Sequence, residues 1–407
     1  EAIAAIATDA GTNTSHIAIL ARSLGLPAVV GLRDATERVR AGQRAVLDGA
    51  AGSLTMDPDE GELADFQHRA QRERAATEEL SQLVDVEPVS LDGVRLVLRA
   101  NVDLPEEAAS AASSGAEGVG LMRTEFLVLG RTTMPDEEEQ YREYRRVAEA
   151  FAGRPVVIRT FDIGGDKLPV GGFPVEPNPF LGWRAIRMCL DEPELFGVQL
   201  RALLRAAVHG DVRVMLPLVV TVDEVREARG LLARAAATLA ARGVPHRADV
   251  PLGVMIETPA AAMAADTFVG EVAFFSIGTN DLVQYTLAVD RGNASLAPRF
   301  TPLHPAVLRL VRHIVRVAER HGIEVGVCGE MASTPLMAYA LVGLGLRQLS
   351  VQPRSVPLVK RLVRGIDVAR ATAAAERALG AATAREAEAA LAAGLDAEAG
   401  AGAGALR

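Results

Sequence analysis

From about Leu91 to Ile366, short apolar runs of strand type alternate with longer stretches of helical period. Eight runs stand out: Leu96–Val102, Val119–Arg123, Val156–Asp162, Val212–Leu218, Leu252–Glu257, Val272–Ile277, Val325–Cys328 and Gln348–Val351. Strands that alternate with helices predict parallel βαβ units. Eight units in ~270 residues match an α/β fold of the (β/α)₈ TIM-barrel type, with an open doubly wound sheet as the alternative.

The ends of the chain follow other patterns. Residues 1 to about 56 read as a small α/β piece, too short for a complete domain. Ile17, Leu20, Ala21 and Leu24 fall on one helical face, which Gly25 and Pro27 terminate. Ala28-Val29-Val30 and the stretch from Arg44 to Leu47 read as strands. From Glu60 to about Val84 charge dominates and the apolar stripe is thin, the pattern of a helix that bridges domains. After Ile366 the chain is Ala-rich, with a capping-box pattern in Thr383-Ala384-Arg385-Glu386 and Gly/Ala low complexity from Ala399 to Ala405. The expected division is therefore 1–59, a helical linker 60–90, a barrel 91–370 and an Ala-rich tail 371–407 without chemistry.

Composition narrows the function classes. Of 407 residues, 49% are hydrophobic, enough for a sizeable core. A net charge of −9 speaks against a nucleic-acid partner, because a phosphate backbone selects a basic face. No apolar run reaches the ~18 residues of a membrane span. The two cysteines, Cys189 and Cys328, make no disulfide framework, which fits the reducing cytoplasm. Lys appears only at Lys167 and Lys360, which base composition explains and which also draws attention to Lys167. The chain opens on Glu1 rather than Met and is expected to start partway into a longer protein.

Candidate chemistry sits in two places. Gly11-Thr12-Asn13-Thr14-Ser15-His16 precedes the amphipathic stretch, so His16 would lie beside free N–H groups and the positive end of a helix dipole, a setting for a phosphorylated imidazole. Equally, Ser15 simply caps the helix and His16 is incidental. The other place is the ends of the barrel runs, which converge on the catalytic face of such a fold. Arg123 and Arg159 suit a phosphate or carboxylate ligand, or else form structural ion pairs with Glu125 or Asp162. Glu257, with Asn280 and Asp281, offers the one or two protein oxygens that Mg²⁺ takes. Arg291 is a further anion holder or a loop partner of Asp290. Cys328 is a proton donor to a carbanion or a small buried hydrophobe. Neither a Walker A motif nor a G-x-G-x-x-G fingerprint is present.

Read together, Thr14-Ser15-His16, Arg123-Thr124-Glu125-Phe126, Asp162-Ile163-Gly164-Gly165-Asp166-Lys167, Asn178-Pro179-Phe180-Leu181-Gly182-Trp183-Arg184, Gly278-Thr279-Asn280-Asp281-Leu282 and Asp290-Arg291-Gly292-Asn293 resemble the motifs of a known family, in its order. That family is enzyme I of the bacterial phosphoenolpyruvate:sugar phosphotransferase system, and the resemblance covers the chain from Asp9 to about Ile366. It implies a partial, swivelling phosphohistidine domain before the TIM barrel. It implies that His16 accepts a phosphoryl group at Nε2, and that Arg123, Arg159, Arg291 and Asn280 bind phosphoenolpyruvate, with Asp281 also at that site. Glu257 and Asp281 match the Mg²⁺ ligands and Cys328 the acid that protonates C3 of the enolate. It further implies transfer to a histidine-containing phosphocarrier protein, release of pyruvate as the first step of sugar uptake, and a homodimer formed through the barrel.

The chain departs from that family in two respects. Only fifteen residues precede His16, where the family carries well over a hundred, so a chain of this extent is expected to bind phosphoenolpyruvate but pass phosphate to the carrier poorly. Gly11-Thr12-Asn13 lacks the family's paired glycines. Two other readings stay open: an ATP-linked relative such as pyruvate phosphate dikinase or phosphoenolpyruvate synthase, and a catalytically idle barrel that senses phosphoenolpyruvate.

Overall fold

The computed structural model of the protein describes residues 3–11, 17, 21, 26–129, 131–164, 176–293 and 295–400. Thr14-Ser15-His16, most of the helix expected from Ile17 to Leu24, Gly165-Asp166-Lys167 and the last residues of the tail lie outside the described residues. The chain divides into two compact units, with the boundary along the sequence between Gln82 and Leu83.

In the first unit, β1 (Ile6–Ala7) pairs in parallel with β2 (Ala28–Val29). β3 (Ala45–Asp48) and β4 (Ser53–Met56) form an antiparallel hairpin, Ala45 opposite Met56. The turn forms because the Asp48 carboxylate accepts the N–H groups of Ala50 (3.1 Å) and Ala51 (2.9 Å). The charged stretch becomes one helix, Glu60–Ser81, started by a capping box between Asp59 and Glu62. Only Leu63, Phe66, Ala70 and Leu80 among its described side chains are half-buried, and the helix groups with the first unit.

The second unit is a closed barrel of eight parallel strands: β5 (Val97–Val102), β6 (Val119–Met122), β7 (Val156–Arg159), β8 (Val212–Leu216), β9 (Leu252–Ile256), β10 (Phe274–Ile277), β11 (Glu324–Val327) and β12 (Gln348–Val351). β12 pairs back onto β5, Gln348 opposite Val97, which excludes the open sheet. Several expected strands run past the observed ends: Arg123, Asp162, Leu218, Glu257 and Cys328 all lie just beyond their strands, in the loops of the C-terminal face. The interior is filled by Leu121, Val157, Met215, Met255, Phe274 and Cys328. At the opposite end Glu324 ties Arg99 (3.0 Å) to Arg213 (2.9 Å).

The Ala-rich segment, expected as a tail with one or two modest helices, forms two helices that pack into the barrel's core. Helices Val368–Gly380 and Ala384–Gly400 bury Ala371, Ala374, Ala375, Ala378, Ala387, Leu391 and Leu395 in the same cluster as the barrel side chains. The physical reason is size. A Cβ on Gly394 would lie 2.7 Å from Ala374 Cβ, so small residues let these helices approach closely. The second of them starts at the expected capping box, with Glu386 N–H on Thr383 Oγ1 (3.2 Å) and Thr383 N–H on Glu386 Oε2 (3.0 Å). Among the described residues no helix is long and apolar enough to cross a membrane.

Candidate active site

The strand ends of the C-terminal face carry a row of alternating charges. Arg159 closes β7 and is 8% exposed. Its Nη2 lies 2.6 Å from Glu125 Oε1 and its Nη1 3.0 Å from Asp162 Oδ2. Arg184 grips Asp162 Oδ1 through Nε (3.0 Å) and Nη2 (2.6 Å), and stands 3.9 Å from Asp281 Oδ2. Arg291 Nη2 is 3.4 Å from Asp281 Oδ1. Arg123, just past β6, pairs with Asp103, just past β5. Neither of the partners expected for Arg123 is the one observed. Glu125 and Asp162 both turn to Arg159, because Asp103 on the neighbouring strand end reaches Arg123 first. Arg291 likewise faces Asp281, while Asp290 accepts the N–H of Gly292 (2.7 Å).

Two carboxylates sit at the buried side of this row. Glu257, just past β9, is 2% exposed and its Oε1 accepts the backbone N–H of Leu218 (2.6 Å). Asp281, in the first turn of helix Thr279–Leu287, is 4% exposed, and its Oδ1 has no hydrogen-bond partner among the described residues. Burial, and then the negative charges of Asp281 and Asp162, push the Glu257 carboxyl well above the usual range. Burial acts the same way on Asp162, but Arg159 and Arg184 pull it below its ordinary value. Burial opposes the charge of Arg159, and Glu125 with Asp162 more than offsets it, so this guanidinium is held firmly cationic.

The seventh strand end contributes a thiol. Cys328 is 2% exposed, with Sγ 3.8 Å from the Ile277 carbonyl oxygen. Burial pushes it up to about 11, against a hydrogen bond to Ser276 that lowers it. Its carbonyl accepts from Asn101 Nδ2 (3.1 Å), and Ser350 Oγ donates to Asn101 Oδ1 (2.6 Å). Asn280 Oδ1 accepts the N–H of Glu330 (3.1 Å), fixing the loop that follows the thiol. A Cβ on Gly278 would lie 2.8 Å from Glu257 Oε2 and 2.9 Å from Met255 Sδ, so only glycine lets that backbone pass.

Residues 77–368 match the family described as PEP-utilising enzyme, PEP-binding domain, and residues 1–52 the PEP-utilising enzyme, mobile domain. The chain is 44% identical over 387 residues to the phosphoenolpyruvate-protein phosphotransferase of Staphylococcus carnosus (strain TM300), covering 95% of this chain and 68% of that one. It is 44% identical over 381 residues to the protein of the same name from Geobacillus stearothermophilus, covering 93% of this chain and 66% of that one. The chain belongs to the phosphoenolpyruvate-protein phosphotransferase family. This phosphotransferase is thus an enzyme of the transferase class, and it spans about two thirds of the length of those relatives.

The structure brings Arg123, Arg159, Glu257, Asn280, Asp281, Arg291 and Cys328 to the strand ends of one barrel face, whereas His16 lies outside the described residues. Arg184, Asp103, Asn101 and the Leu218 N–H join the site without having been expected from the sequence. Arg184 ends the Asn178-Pro179-Phe180-Leu181-Gly182-Trp183-Arg184 motif and Asp103 directly follows the first run, so both carry a signal in the sequence. A backbone donor has none.

Proposed function

We propose that the barrel mouth of this phosphotransferase binds phosphoenolpyruvate, that the phosphoryl group passes to Nε2 of His16, and that pyruvate leaves. The observation that carries this reading is the row Glu125, Arg159, Asp162, Arg184, Asp281 and Arg291 at the barrel mouth, buried at Arg159, Arg184 and Asp281 and open to solvent at Arg291. Guanidiniums already clamped by carboxylates pay little reorganisation when an anion arrives. Arg123, Arg159 and Arg291 hold the phosphate and carboxylate oxygens, with Asn280 beside them and Asp281 bordering the donor.

Glu257 and Asp281 fit Mg²⁺. Two carboxylates are the share this ion usually takes from a protein. Asp281 Oδ1 is buried with no hydrogen bond among the described residues, only the ion-pair contact to Arg291, and burial, followed by the negative charges of Asp281 and Asp162, drives Glu257 toward protonation, a load a divalent cation relieves. With two protein carboxylates, substrate and water oxygens would complete the octahedron such an ion takes. Bound there, Mg²⁺ supplies charge neutralisation at the phosphoryl and enolate oxygens.

The residues of the chain then do three things. The arginines orient the phosphate so that the bond from phosphorus to the enol oxygen breaks as the bond to His16 Nε2 forms. The released electron pair becomes an enolate. Cys328, protonated at neutral pH because burial raises its pKa to about 11, gives its Sγ proton to C3 and is left as thiolate beside Ser276. Onward transfer to a histidine-containing phosphocarrier protein, as the cytoplasmic first step of sugar uptake, and a homodimer through the barrel belong to the same proposal. So do residues 1–59 as the phosphohistidine part, 60–90 as its tether and 91–370 as the donor-binding barrel.

Incubation with phosphate-labelled phosphoenolpyruvate and Mg²⁺ tests the reading. Label should appear on the chain in an acid-labile form and vanish with His16→Ala or Arg159→Ala. Undiminished labelling in either variant would overturn it.

A further inference from the structure

Gln199 lies on helix Pro193–Ala206, behind the charged row, and is fully buried. A side-chain amide carries two donors and an acceptor oxygen, each costly to bury unmet. Here the acceptor and one donor contact go to the two strand ends that present arginines, and the other donor contact goes to Tyr144. Gln199 Oε1 accepts the N–H of Phe161 (3.0 Å), in the turn between Arg159 and Asp162. Its Nε2 donates to Thr124 Oγ1 (3.4 Å) and to Tyr144 OH (3.0 Å). Thr124 follows Arg123 directly, is itself fully buried, and its hydroxyl donates to the carbonyl of Arg159 (3.0 Å). Tyr144 OH in turn donates to Gln140 Oε1 (3.1 Å), and Gln140 Nε2 to the Pro135 carbonyl (3.0 Å).

One amide thus stitches the end of β6 to the end of β7 from behind. We propose that Gln199, acting through Thr124, is a positioning residue that sets the spacing of Arg123 and Arg159 for capture of the enol phosphate, without touching it. The inference rests on the reading that these two arginines hold phosphoenolpyruvate. The geometry favours positioning over mere packing. An apolar side chain of equal volume would fill the same space, whereas Gln199 meets a backbone N–H from one arginine-bearing turn and a hydroxyl from the other. A chain of buried hydrogen bonds of this kind fixes geometry because no water competes for its members.

The test compares Gln199→Met, Gln199→Glu, Thr124→Val, the Gln199→Met/Thr124→Val double variant and Arg159→Ala, each in the full chain. Phosphoenolpyruvate affinity with Mg²⁺ is measured by titration calorimetry, and folding by circular dichroism and thermal unfolding. Gln199→Met and Thr124→Val should each weaken binding by roughly tenfold or more, the size expected when a buried hydrogen-bonded group is lost. The double variant should lose less than the product of the two, since both act through one network. Gln199→Glu, which keeps the acceptor for Phe161, should recover part of the affinity. Binding within about twofold of the parent in folded Gln199→Met, or losses that multiply in the double variant, would overturn the inference. If Gln199→Met does not fold, Thr124→Val and Gln199→Glu decide by the same affinities. Should Arg159→Ala bind normally, the reading of the mouth itself fails. Should Arg159→Ala lose binding while Gln199→Met keeps it, only the role of Gln199 falls.

Discussion

Glu257 Oε1 accepts the backbone N–H of Leu218 at 2.6 Å, and Leu218 stands at φ +55°, a left-handed conformation that a leucine rarely adopts. The loop after β8 is bent so that a main-chain donor meets a carboxylate from the end of β9. Local backbone cost of this sort persists where the surroundings over-determine it, and it gathers at functional sites.

The first expectation concerns that carboxylate. Glu257→Gln keeps the shape and the Leu218 contact but removes the charge, so Mg²⁺ affinity should fall by about tenfold or more, as for losses around metal sites. Without metal the substitution should change the pH dependence of stability. The folded pKa of Glu257 lies above its unfolded value, so its contribution is complete below the unfolded pKa and is lost as pH rises through the folded one. Thermal unfolding in chelator should therefore show a decline with rising pH that Glu257→Gln flattens; identical profiles would contradict the account.

Arg123 and Arg159 should differ in stability although both bind the same ligand. Removing Arg159 takes the ion-pair partner from Glu125 and leaves Asp162 to Arg184 alone, and breaking a buried pair costs about 3–5 kcal/mol. The side chains of Arg123 and Asp103 are each about a third exposed (33% and 34%). Arg123→Ala should cost only about 0–1 kcal/mol, as for a solvated pair. Denaturant titrations of the two alanine variants check the contrast, with phosphoenolpyruvate binding lost in both.

Gly278→Ala should disable the mouth while leaving the barrel folded. Its Cβ would arrive 2.8 Å from Glu257 Oε2, and overpacking of this order costs about 1–3 kcal/mol. The expected readout is a loss of Mg²⁺-dependent binding out of proportion to a modest drop in melting temperature.

Cys328 should titrate late. Thiolate absorbance in the Cys189→Ala background should rise near pH 11 rather than at the ordinary ~8.5 of a free thiol. Cys328→Ala should capture phosphoenolpyruvate normally and form pyruvate slowly. Rapid pyruvate formation by that variant would remove the thiol from the mechanism.

The C-terminal helices should stabilise the barrel. Leu391 is fully buried in the barrel's cluster, so Leu391→Ala should lower the unfolding free energy by about 2–5 kcal/mol in a single cooperative transition. A second, separate transition would show that these helices fold apart from it.

The barrel was legible because a parallel strand covered on both faces must be apolar along its length, and eight such runs separated by helical stretches leave few alternatives. The ends of the runs were less legible. Leu218 and Cys328 continue the apolar pattern past the last paired residues, Leu216 and Val327, so hydropathy alone extends β8 and β11 too far. The Ala-rich segment misled for the opposite reason. Alanine is a weak hydrophobic signal, yet at Ala371 and Ala374 smallness is what buries a helix against its neighbour.

By itself the sequence determined the fold class and the residue types at the mouth, since strand periodicity and the chemistry at the run ends are local properties. Only the tertiary structure decided which carboxylate meets which guanidinium. Asp103 and Arg123 are 20 residues apart, and Asp162 and Arg184 are 22 apart. Arg184 and Asp281 come still farther apart along the chain, and all are brought together by barrel closure rather than by spacing. Gln199 shows the same limit: its spacing from Phe196 and Leu203 puts it on the apolar face, but no pattern says which groups its amide meets there. Its meaning came from the two strand ends that the fold placed against it.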